Sequence, residues 1–153
     1  MNFPDHEAVN AYTGFLLRKV SSASFQAFSE IVGAHGLHPM HFGMLTIIEA
    51  EEPISQQELS RRTGIDPSTM VGRMDVLAEQ GLVERARCTT DRRSYDIRLS
   101  AAGRTLLTTL RKQGREHGDR FFAPLTCSER KQLHELLAKL AASLEVPPGE
   151  VKR

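Results

Sequence analysis

The sequence predicts a mainly α-helical protein with a small β-hairpin. Three observations support this prediction: apolar residues recur every three or four positions towards both ends, two short helix patterns flank a glycine-containing turn, and two strand-like runs follow them. Helix, turn, helix and hairpin in this order are typical of a winged helix-turn-helix, in which the hairpin is the wing. We therefore expect that domain to be embedded in a longer helical frame.

Composition places the chain among ordinary globular proteins. It has 153 residues, of which 40% are hydrophobic and 25% are charged, so one compact domain with a helical frame fits the length. The net charge is only +1, and the distribution of charge is therefore more informative than its sum. From Glu84 to Arg104 there are six arginines and three acids, a local excess of three positive charges. Arginine offers a planar fork to phosphates and base edges, although internal ion pairs of a solvated hairpin are the alternative.

The first helix pattern runs from Glu7 to about Gly33. Its apolar stripe consists of Val9, Tyr12, Leu16, Val20, Ala23, Ala27 and Ile31, while Phe15, Phe25, Phe28 and Val32 lie off the stripe. A helix that is apolar on more than one face has to bury both, which favours a partner subunit over packing within one small chain. We expect Gly36 to close this helix and Pro39 to open the next one.

A similar surplus of apolar residues occurs near the other end. A helix after Gly103 carries Leu106, Leu107 and Leu110, and Pro124 ends it. Thr126 and Glu129 form a capping box for a last helix with a leucine stripe from Leu133 to Leu144. We therefore predict a dimerisation region in residues 1–36 and 104–146, a winged helix-turn-helix in residues 37–103, and a flexible tail in residues 147–153.

The helix-turn-helix is predicted from its caps. Ser55 and Glu58 form a capping box that starts the first helix, and Gly64 supplies the positive φ that ends it. Asp66 then caps the second helix, with Pro67 at its first position. We expect this helix to bury Met70 or Val71 together with Met74 and Leu77, and to end at Gly81 in a Schellman motif. Ile65 fills the angle between the two helices.

The second helix exposes short polar residues at its start. Hydroxyl groups contact phosphates or base edges, a small residue lets a helix approach closely, and an arginine reaches guanine or a phosphate. A solvated helix face would show similar residues at any one position, but their combination with the turn favours recognition of DNA. The DNA-binding residues predicted for the two helices are Ser55, Gln56, Pro67, Ser68, Thr69, Gly72 and Arg73.

Two strands should form the wing. They run from Leu82 to Arg87 and from Tyr95 to Leu99, with Tyr95, Ile97 and Leu99 facing inwards. Asp91 is two residues before Arg93 and can hold that guanidinium in one orientation, either to rigidify the hairpin or to present it to a narrow groove. The DNA-binding residues predicted for the wing are Arg87, Asp91, Arg92 and Arg93.

The run DPSTMVGRMDVLAEQGLVERARCTTDRRSYDIRLSAAGR resembles the MarR family of bacterial transcriptional regulators. The likeness rests on Ser68-Thr69, Gly81-Leu82-Val83, Asp91-x-Arg93-Ser94 and Leu99-Ser100-x-x-Gly103, and the flanking helices extend it across nearly the whole chain. Ser100, where threonine is more usual, and the wing entry Cys88-Thr89-Thr90 depart from the pattern. The resemblance implies a homodimer on a pseudo-palindromic operator of double-stranded DNA, with the second helix in the major groove and the wing in the minor groove.

The resemblance also implies a small-molecule effector, with a pocket where the dimer helices meet the DNA-reading domain. An aromatic and methionine lining with a few cations suits a small aromatic acid, although plain junction packing is the alternative. The candidate pocket residues are Tyr12, Phe15, Arg18, His38, His41, Met44 and Met70. His35, His38 and His41 straddle a helix break without nearby cysteine or paired carboxylates, so we predict no metal site.

Other functions are less well supported. A redox-responsive regulator of the same fold would use Cys88 in the wing or Cys127 at a helix start, where a thiolate is favoured. The peroxide sensors that the chain resembles carry their reactive cysteine in the first helix, which has none here, and Cys127 is a single cysteine without a partner. A winged helix that serves only protein assembly would not need so many arginines. No catalytic motif or phosphate-binding loop occurs, which predicts neither an enzyme nor a cofactor. With no signal peptide at the N-terminus and no apolar run of the ~20 residues that a membrane span requires, we expect a cytoplasmic protein.

Overall fold

The computed structural model describes residues 7–87 and 95–144. These residues confirm the predicted fold class, because most of them are helical and the strands form one small antiparallel sheet. The helices are α1 (Glu7–Asn10), α2 (Thr13–Gly33), α3 (Pro39–Glu51), α4 (Gln56–Thr63), α5 (Pro67–Glu79), α6 (Ala101–Phe121) and α7 (Cys127–Leu144), and the strands are β1 (Ile54–Ser55), β2 (Val83–Arg87) and β3 (Tyr95–Leu99). The chain divides into two compact units, one up to His117 and one from Gly118.

The first helix differs from its prediction, because the structure divides the run from Glu7 to Gly33 into α1 and α2. Tyr12 lies between them in an extended conformation and caps α2, and its backbone N–H donates to the Val9 carbonyl at 3.2 Å. Thr13 and Gly14, which follow, are poor helix formers, so the long helix is weakest at this point.

A three-residue turn follows the end of α2. There Gly36 takes a φ of 70° and Leu37 N–H donates to the Val32 carbonyl at 3.3 Å.

The sheet contains one strand more than the sequence predicts. Its order is β1-β3-β2, and Ile54 of β1 pairs with Ile97 of β3. A strand of two residues is too short for an alternating pattern to indicate it. Ile97 and Leu99 are buried as predicted, but Tyr95 is exposed, and its prediction as an inward residue was wrong. Ile97 and Leu99 belong to the buried core, whereas Tyr95 pairs with Arg87 at the end of the ladder, beyond the residues that join that core.

The buried core joins the helix-turn-helix, the sheet and parts of the neighbouring helices. Met70 is fully buried whereas Val71 is exposed, which decides the alternative that the sequence left open. The core residues are Val32, Leu37, Met44, Leu45, Ile48, Ile54, Leu59, Ile65, Met70, Met74, Leu77, Leu82, Val83, Ile97, Leu99, Leu107 and Leu110. Residues of α3, α4, α5 and the sheet therefore share one core, which fixes the position of α5.

The junction after β3 depends on close packing around Ser100. Its hydroxyl donates to the Gly81 carbonyl at 2.6 Å and accepts from Gly103 N–H at 3.0 Å. A Cβ atom at Gly103 would overlap the carbonyl oxygen of Leu82, so this position requires glycine. Glu52 completes the junction, since its carboxylate accepts from Leu99 N–H at 2.9 Å and from the Arg104 guanidinium. The motif Leu99-Ser100-x-x-Gly103 thus anchors the hairpin to the start of α6.

The second unit contains α7, which begins with the predicted capping box. The Glu129 carboxylate accepts from Thr126 N–H at 2.8 Å, and Glu129 N–H donates to the Thr126 hydroxyl at 3.3 Å. The leucine stripe lies on the surface of this unit, where Leu136, Leu140 and Leu144 are exposed. No helix in residues 7–87 and 95–144 is both long and apolar enough to span a bilayer.

Candidate nucleic-acid interface

Helix α4 begins at Gln56 because Ser55 caps it. Ser55 Oγ accepts a hydrogen bond from Glu58 N–H at 3.1 Å, which is the first half of the predicted capping box. The Glu58 carboxylate turns to two arginines of the same helix, with Arg61 Nε at 2.8 Å and Arg62 Nε at 2.9 Å. The hydrogen bond from Arg61 is the main reason why the pKa of Glu58 is lowered. Ser55 and Gln56 thus lie half-buried at a well-fixed helix start.

The turn between α4 and α5 is held by its own residues. Gly64 takes a φ of 68°, as the sequence predicts for the end of α4. Ile65 is buried, and its carbonyl accepts a hydrogen bond from Ser60 Oγ at 2.5 Å. Because a buried side chain and a buried hydroxyl both constrain this turn, the angle between the two helices is fixed.

Helix α5 begins with the predicted aspartate cap. Asp66 Oδ1 accepts from Thr69 N–H at 3.0 Å and from Ser68 Oγ at 2.5 Å, and Pro67 occupies the first helical position. The Ser68 hydroxyl, followed by Thr69, holds the pKa of the Asp66 carboxyl well below its usual range. Asp66 therefore stays ionised at the exposed start of α5 and fixes the orientation of the Ser68 hydroxyl.

The N-terminal half of α5 presents a smooth, exposed surface. Ser68, Thr69 and Gly72 are all exposed, and a Cβ atom added at Gly72 would have open space around it. Internal packing therefore does not require glycine at this position. Arg73 is half-buried and lies one turn from both Met70 and Leu77, which are fully buried. The exposed centre of this half carries hydroxyl groups and a bare backbone, while Arg73 lies at its edge.

A cleft of about 610 Å³ opens between α4 and α5. It brings together Gln56 and Pro67, two predicted DNA-binding residues, with Met70, a predicted effector-pocket residue. The lining residues are Gln56, Gln57, Ser60, Arg61, Gly64, Ile65, Pro67 and Met70. Met70, although predicted for the effector pocket, therefore borders the same cleft as two predicted DNA-binding residues.

An ion pair links the first strand of the hairpin to α5. Arg85 Nη2 of β2 lies 3.0 Å from Asp75 Oδ1 of α5, so this partly exposed contact links the wing strand to the helix. The backbone of Arg87 pairs with Tyr95 at the end of the ladder. The wing-tip predictions for Asp91, Arg92 and Arg93 lie outside the described residues, as does Cys88.

The seven candidate effector-pocket residues divide into two groups. Tyr12, Phe15, Arg18 and His38 are exposed, whereas His41, Met44 and Met70 are buried. Tyr12 and Phe15 make an edge contact with ring centroids 6.4 Å apart. Met44 and Met70 belong to the common core, and His41 is a buried polar residue one turn before Met44 in α3.

His38 and His41 cap the start of α3, a role that the sequence analysis missed. His38 Nδ1 accepts from Met40 N–H at 3.1 Å, and His41 Nδ1 accepts from His38 N–H at 3.0 Å. Burial, followed by the charges of Arg73 and His38, lowers the pKa of His41 to about 4. His41 is therefore neutral near pH 7 and carries its proton on Nε2, since Nδ1 accepts. Within the described residues, this buried Nε2–H has no hydrogen-bond partner.

Within residues 7–87 and 95–144, no three histidine, cysteine, aspartate or glutamate side chains are grouped in a way that could hold a metal ion. Cys127 is a free, exposed thiol at the start of α7.

Known proteins resemble both the sequence and this geometry. A sequence model described as the MarR family matches residues 35–94. A protein of Thauera aromatica, named as a transcriptional regulatory protein for the hcr operon, is 30% identical over 148 residues, which cover 96% of this chain and 89% of that protein. The chain belongs to the MarR family. It is therefore a winged-helix transcriptional regulator that binds DNA, and its relatives are regulators rather than enzymes.

Two solved MarR-type structures extend the comparison. The transcriptional repressor CouR bound to a 23-mer DNA duplex superimposes with a TM-score of 0.80 at 28% identity, covering 92% of this chain and 99% of CouR. The Mycobacterium tuberculosis MarR family protein RV2887 in complex with p-aminosalicylic acid gives a TM-score of 0.68 at 25% identity, covering 85% of this chain and 98% of that protein. The similarity thus extends over nearly the whole chain.

Proposed function

We propose that this chain forms a homodimeric repressor that binds a pseudo-palindromic operator and is released from it by a small acid. The observation that carries the proposal is the exposed N-terminal half of α5, held by its Asp66 cap and connected to the wing strand by Arg85 and Asp75. The likeness to CouR, a repressor bound to a DNA duplex, supports the same function here.

DNA binding rests on the helix starts and the wing. Ser55 and Gln56 at the start of α4 suit contacts with the phosphate backbone, because backbone N–H groups at a helix N-terminus attract anions. Ser68, Thr69 and Gly72 then enter the major groove. Pro67 allows the start of α5 to approach the backbone. In the wing, Arg87, Arg92 and Arg93 supply cations for the minor groove, with Asp91 as an orienting partner.

Dimerisation rests on apolar surface within each unit. In the first unit, Tyr12, just before α2, and Phe15 and Phe25 within it are each about half exposed or more. In the second, Leu140 and Leu144 of α7 are exposed at 57% and 85%. Apolar residues in such number on a small protein indicate a protein interface. A two-fold dimer would place two copies of α5 on half-sites about 10 bp apart, or one helical turn.

Release by an acid rests on His41. Its buried Nε2–H needs an acceptor, and a carboxylate oxygen provides a strong, charge-assisted one. Arg73 of α5 is close enough for its charge to lower the pKa of His41. An acid held by His41 would therefore also attract Arg73 and change the edge of the DNA-reading surface. The RV2887 complex with p-aminosalicylic acid shows that a relative of similar fold takes an aromatic acid.

DNA binding is tested by titrating the protein into a duplex from the region upstream of its own gene and into a shuffled duplex of equal composition. We expect at least about a thousandfold preference for the former at moderate salt, as is usual for specific regulators. Equal affinity for the two duplexes would contradict the proposal. A molecular mass in solution that corresponds to one chain rather than two would contradict the dimer.

The effector is tested with benzoic, salicylic and p-aminosalicylic acids. We expect an active acid to raise the melting temperature and to weaken operator binding by about five- to a hundredfold, which corresponds to a coupling of ~1 to 3 kcal/mol. His41→Leu removes the Nε2–H donor and should abolish both effects, whereas His41→Gln keeps an amide N–H and should retain part of them. A panel that moves neither quantity would contradict release by an acid and leave DNA binding intact.

A further inference from the structure

Val71 is an apolar residue that the core of the helix-turn-helix does not use. It lies in the N-terminal half of α5 and is 49% exposed, while Met70, Met74 and Leu77 of the same helix are fully buried and fill the core. A β-branched residue within a helix is slightly less favourable than alanine. Val71 buries too little of its side chain to offset this cost. Neither core packing nor helix formation therefore accounts for Val71.

The neighbours of Val71 place it on the proposed DNA-reading surface. Ser68 is one turn before it and Gly72 follows it, and both are exposed. Asp75 is one turn after it and is engaged by Arg85 Nη2 at 3.0 Å. The two methyl groups of Val71 thus lie between a hydroxyl, a bare backbone and a carboxylate that is already paired.

The chemistry of the major groove indicates what Val71 contacts. Among the four bases, only thymine presents a methyl group there, and apolar side chains recognise it by contact. Arg73, the cation of this half of the helix, is half-buried at the edge on the side of Met70 and Leu77. The exposed centre around Val71 therefore offers apolar contact rather than a fork for guanine.

We propose that Val71 is a specificity-determining residue that recognises the 5-methyl group of a thymine in each half-site. This inference rests on the proposed DNA-reading role of α5 and adds the base class that α5 selects. Bare backbone at Gly72 brings the helix close to the base edges, and Val71 then closes on the methyl group.

The test uses the tightest duplex selected from a random pool by the wild-type protein. Each thymine of a half-site is replaced in turn by uracil, which differs only by the missing methyl group. For wild-type protein, we expect one replacement per half-site to weaken binding about fourfold, the factor that corresponds to ~0.8 kcal/mol for one buried methyl group. For Val71→Ala, which keeps only the Cβ methyl group close to the helix, the same replacement should weaken binding less than fourfold.

Two controls separate this contact from a general loss of binding. Ser68→Ala should weaken binding but keep the fourfold uracil penalty, because it leaves Val71 in place. Melting temperatures of both variants should remain near that of the wild type, since both side chains are exposed. A uracil penalty that is equal in Val71→Ala and wild type, or absent from both, would overturn the inference. A wild-type protein that selects no sequence from the pool would overturn the proposed function as well.

Discussion

Helices α3 and α5 begin with the same backbone arrangement but with different chemistry. In each, an extended residue with ψ near 150° precedes a proline at the first helical position, His38 before Pro39 and Asp66 before Pro67. The cap of α3 consists of two imidazoles, and the second one, His41, is buried. The cap of α5 is a carboxylate on the surface. One geometry thus satisfies backbone donors both at a partly buried helix start and at the proposed DNA-reading surface.

The difference shows how burial determines what a helix cap can do. Burial keeps His41 neutral, and its Nε2–H, which has no partner among the described residues, is available to an acceptor. Exposure lets Asp66 remain charged, and its hydrogen bonds to Ser68 and Thr69 spread that charge over the helix start. The start of α3 therefore suits recognition of an acid, and the start of α5 suits an ordered approach to DNA.

The largest expected effect is a pH dependence of stability that comes from His41. The pKa of His41 is about 4 when folded, against about 6.5 for an unfolded histidine, so the unfolded chain takes up the proton first. The stabilisation is thus fully present above about pH 6.5 and is lost as the pH falls towards 4. The loss is at most ~3 kcal/mol in the free energy of unfolding. Urea unfolding at pH 7, 6, 5 and 4 measures it.

His41→Gln isolates this contribution, because glutamine keeps an acceptor for His38 N–H and does not titrate. We expect the variant to lose stability less steeply than the wild type between pH 6.5 and 4. His134→Gln, at an exposed position of α7, is the matched control and should leave the wild-type slope in place. Parallel curves for His41→Gln and wild type would show that the two helix starts do not differ in this way.

Local features of the sequence predicted the helix ends well. The caps Ser55, Asp66 and Thr126 and the Schellman motif at Gly81 all appear in the structure, because each depends on residues within one turn of the chain. The fold class followed from these ends and from the apolar spacing. The residues of the candidate site on α5 could be named for the same reason.

Features that depend on distant contacts could not be predicted. The capping role of His41 follows from its burial, and histidine is not among the residues that the sequence marks as caps. Strand β1 exists only through its pairing with β3, and the exposure of Tyr95 reflects its place at the end of the ladder, beyond the buried core. The choice of Met70 over Val71 as the buried residue also depended on where the other elements pack.

A smaller effect is expected from Gly72→Ala, with opposite signs for stability and binding. Alanine is better than glycine within a helix by roughly 0.5–1 kcal/mol, and the structure leaves open space around the added Cβ. The free energy of unfolding should therefore rise. DNA affinity should fall about tenfold, equivalent to ~1.4 kcal/mol, because the methyl group keeps α5 away from the base edges.

Gly43→Ala in α3 is the matched control for this substitution. Gly43 is also an exposed helical glycine with open space around its Cβ position. Its replacement should stabilise the protein similarly and leave DNA binding unchanged. If both variants bind DNA like the wild type, close approach at Gly72 has no part in recognition.

The smallest expected effect concerns Asp66→Asn, which leaves the cap geometry in place and removes its charge. Asparagine caps helices about as well as aspartate, so the melting temperature should stay the same. The Asp66 pKa lies well below its usual range, so the charge is present throughout the interval in which His41 titrates. Because that carboxylate lies where phosphates approach, its loss should raise DNA affinity about threefold at low salt and less at high salt.

Glu79→Gln, at the other end of α5, should change affinity less. An equal gain from both variants would mean that net charge, rather than the start of α5, determines how DNA is approached.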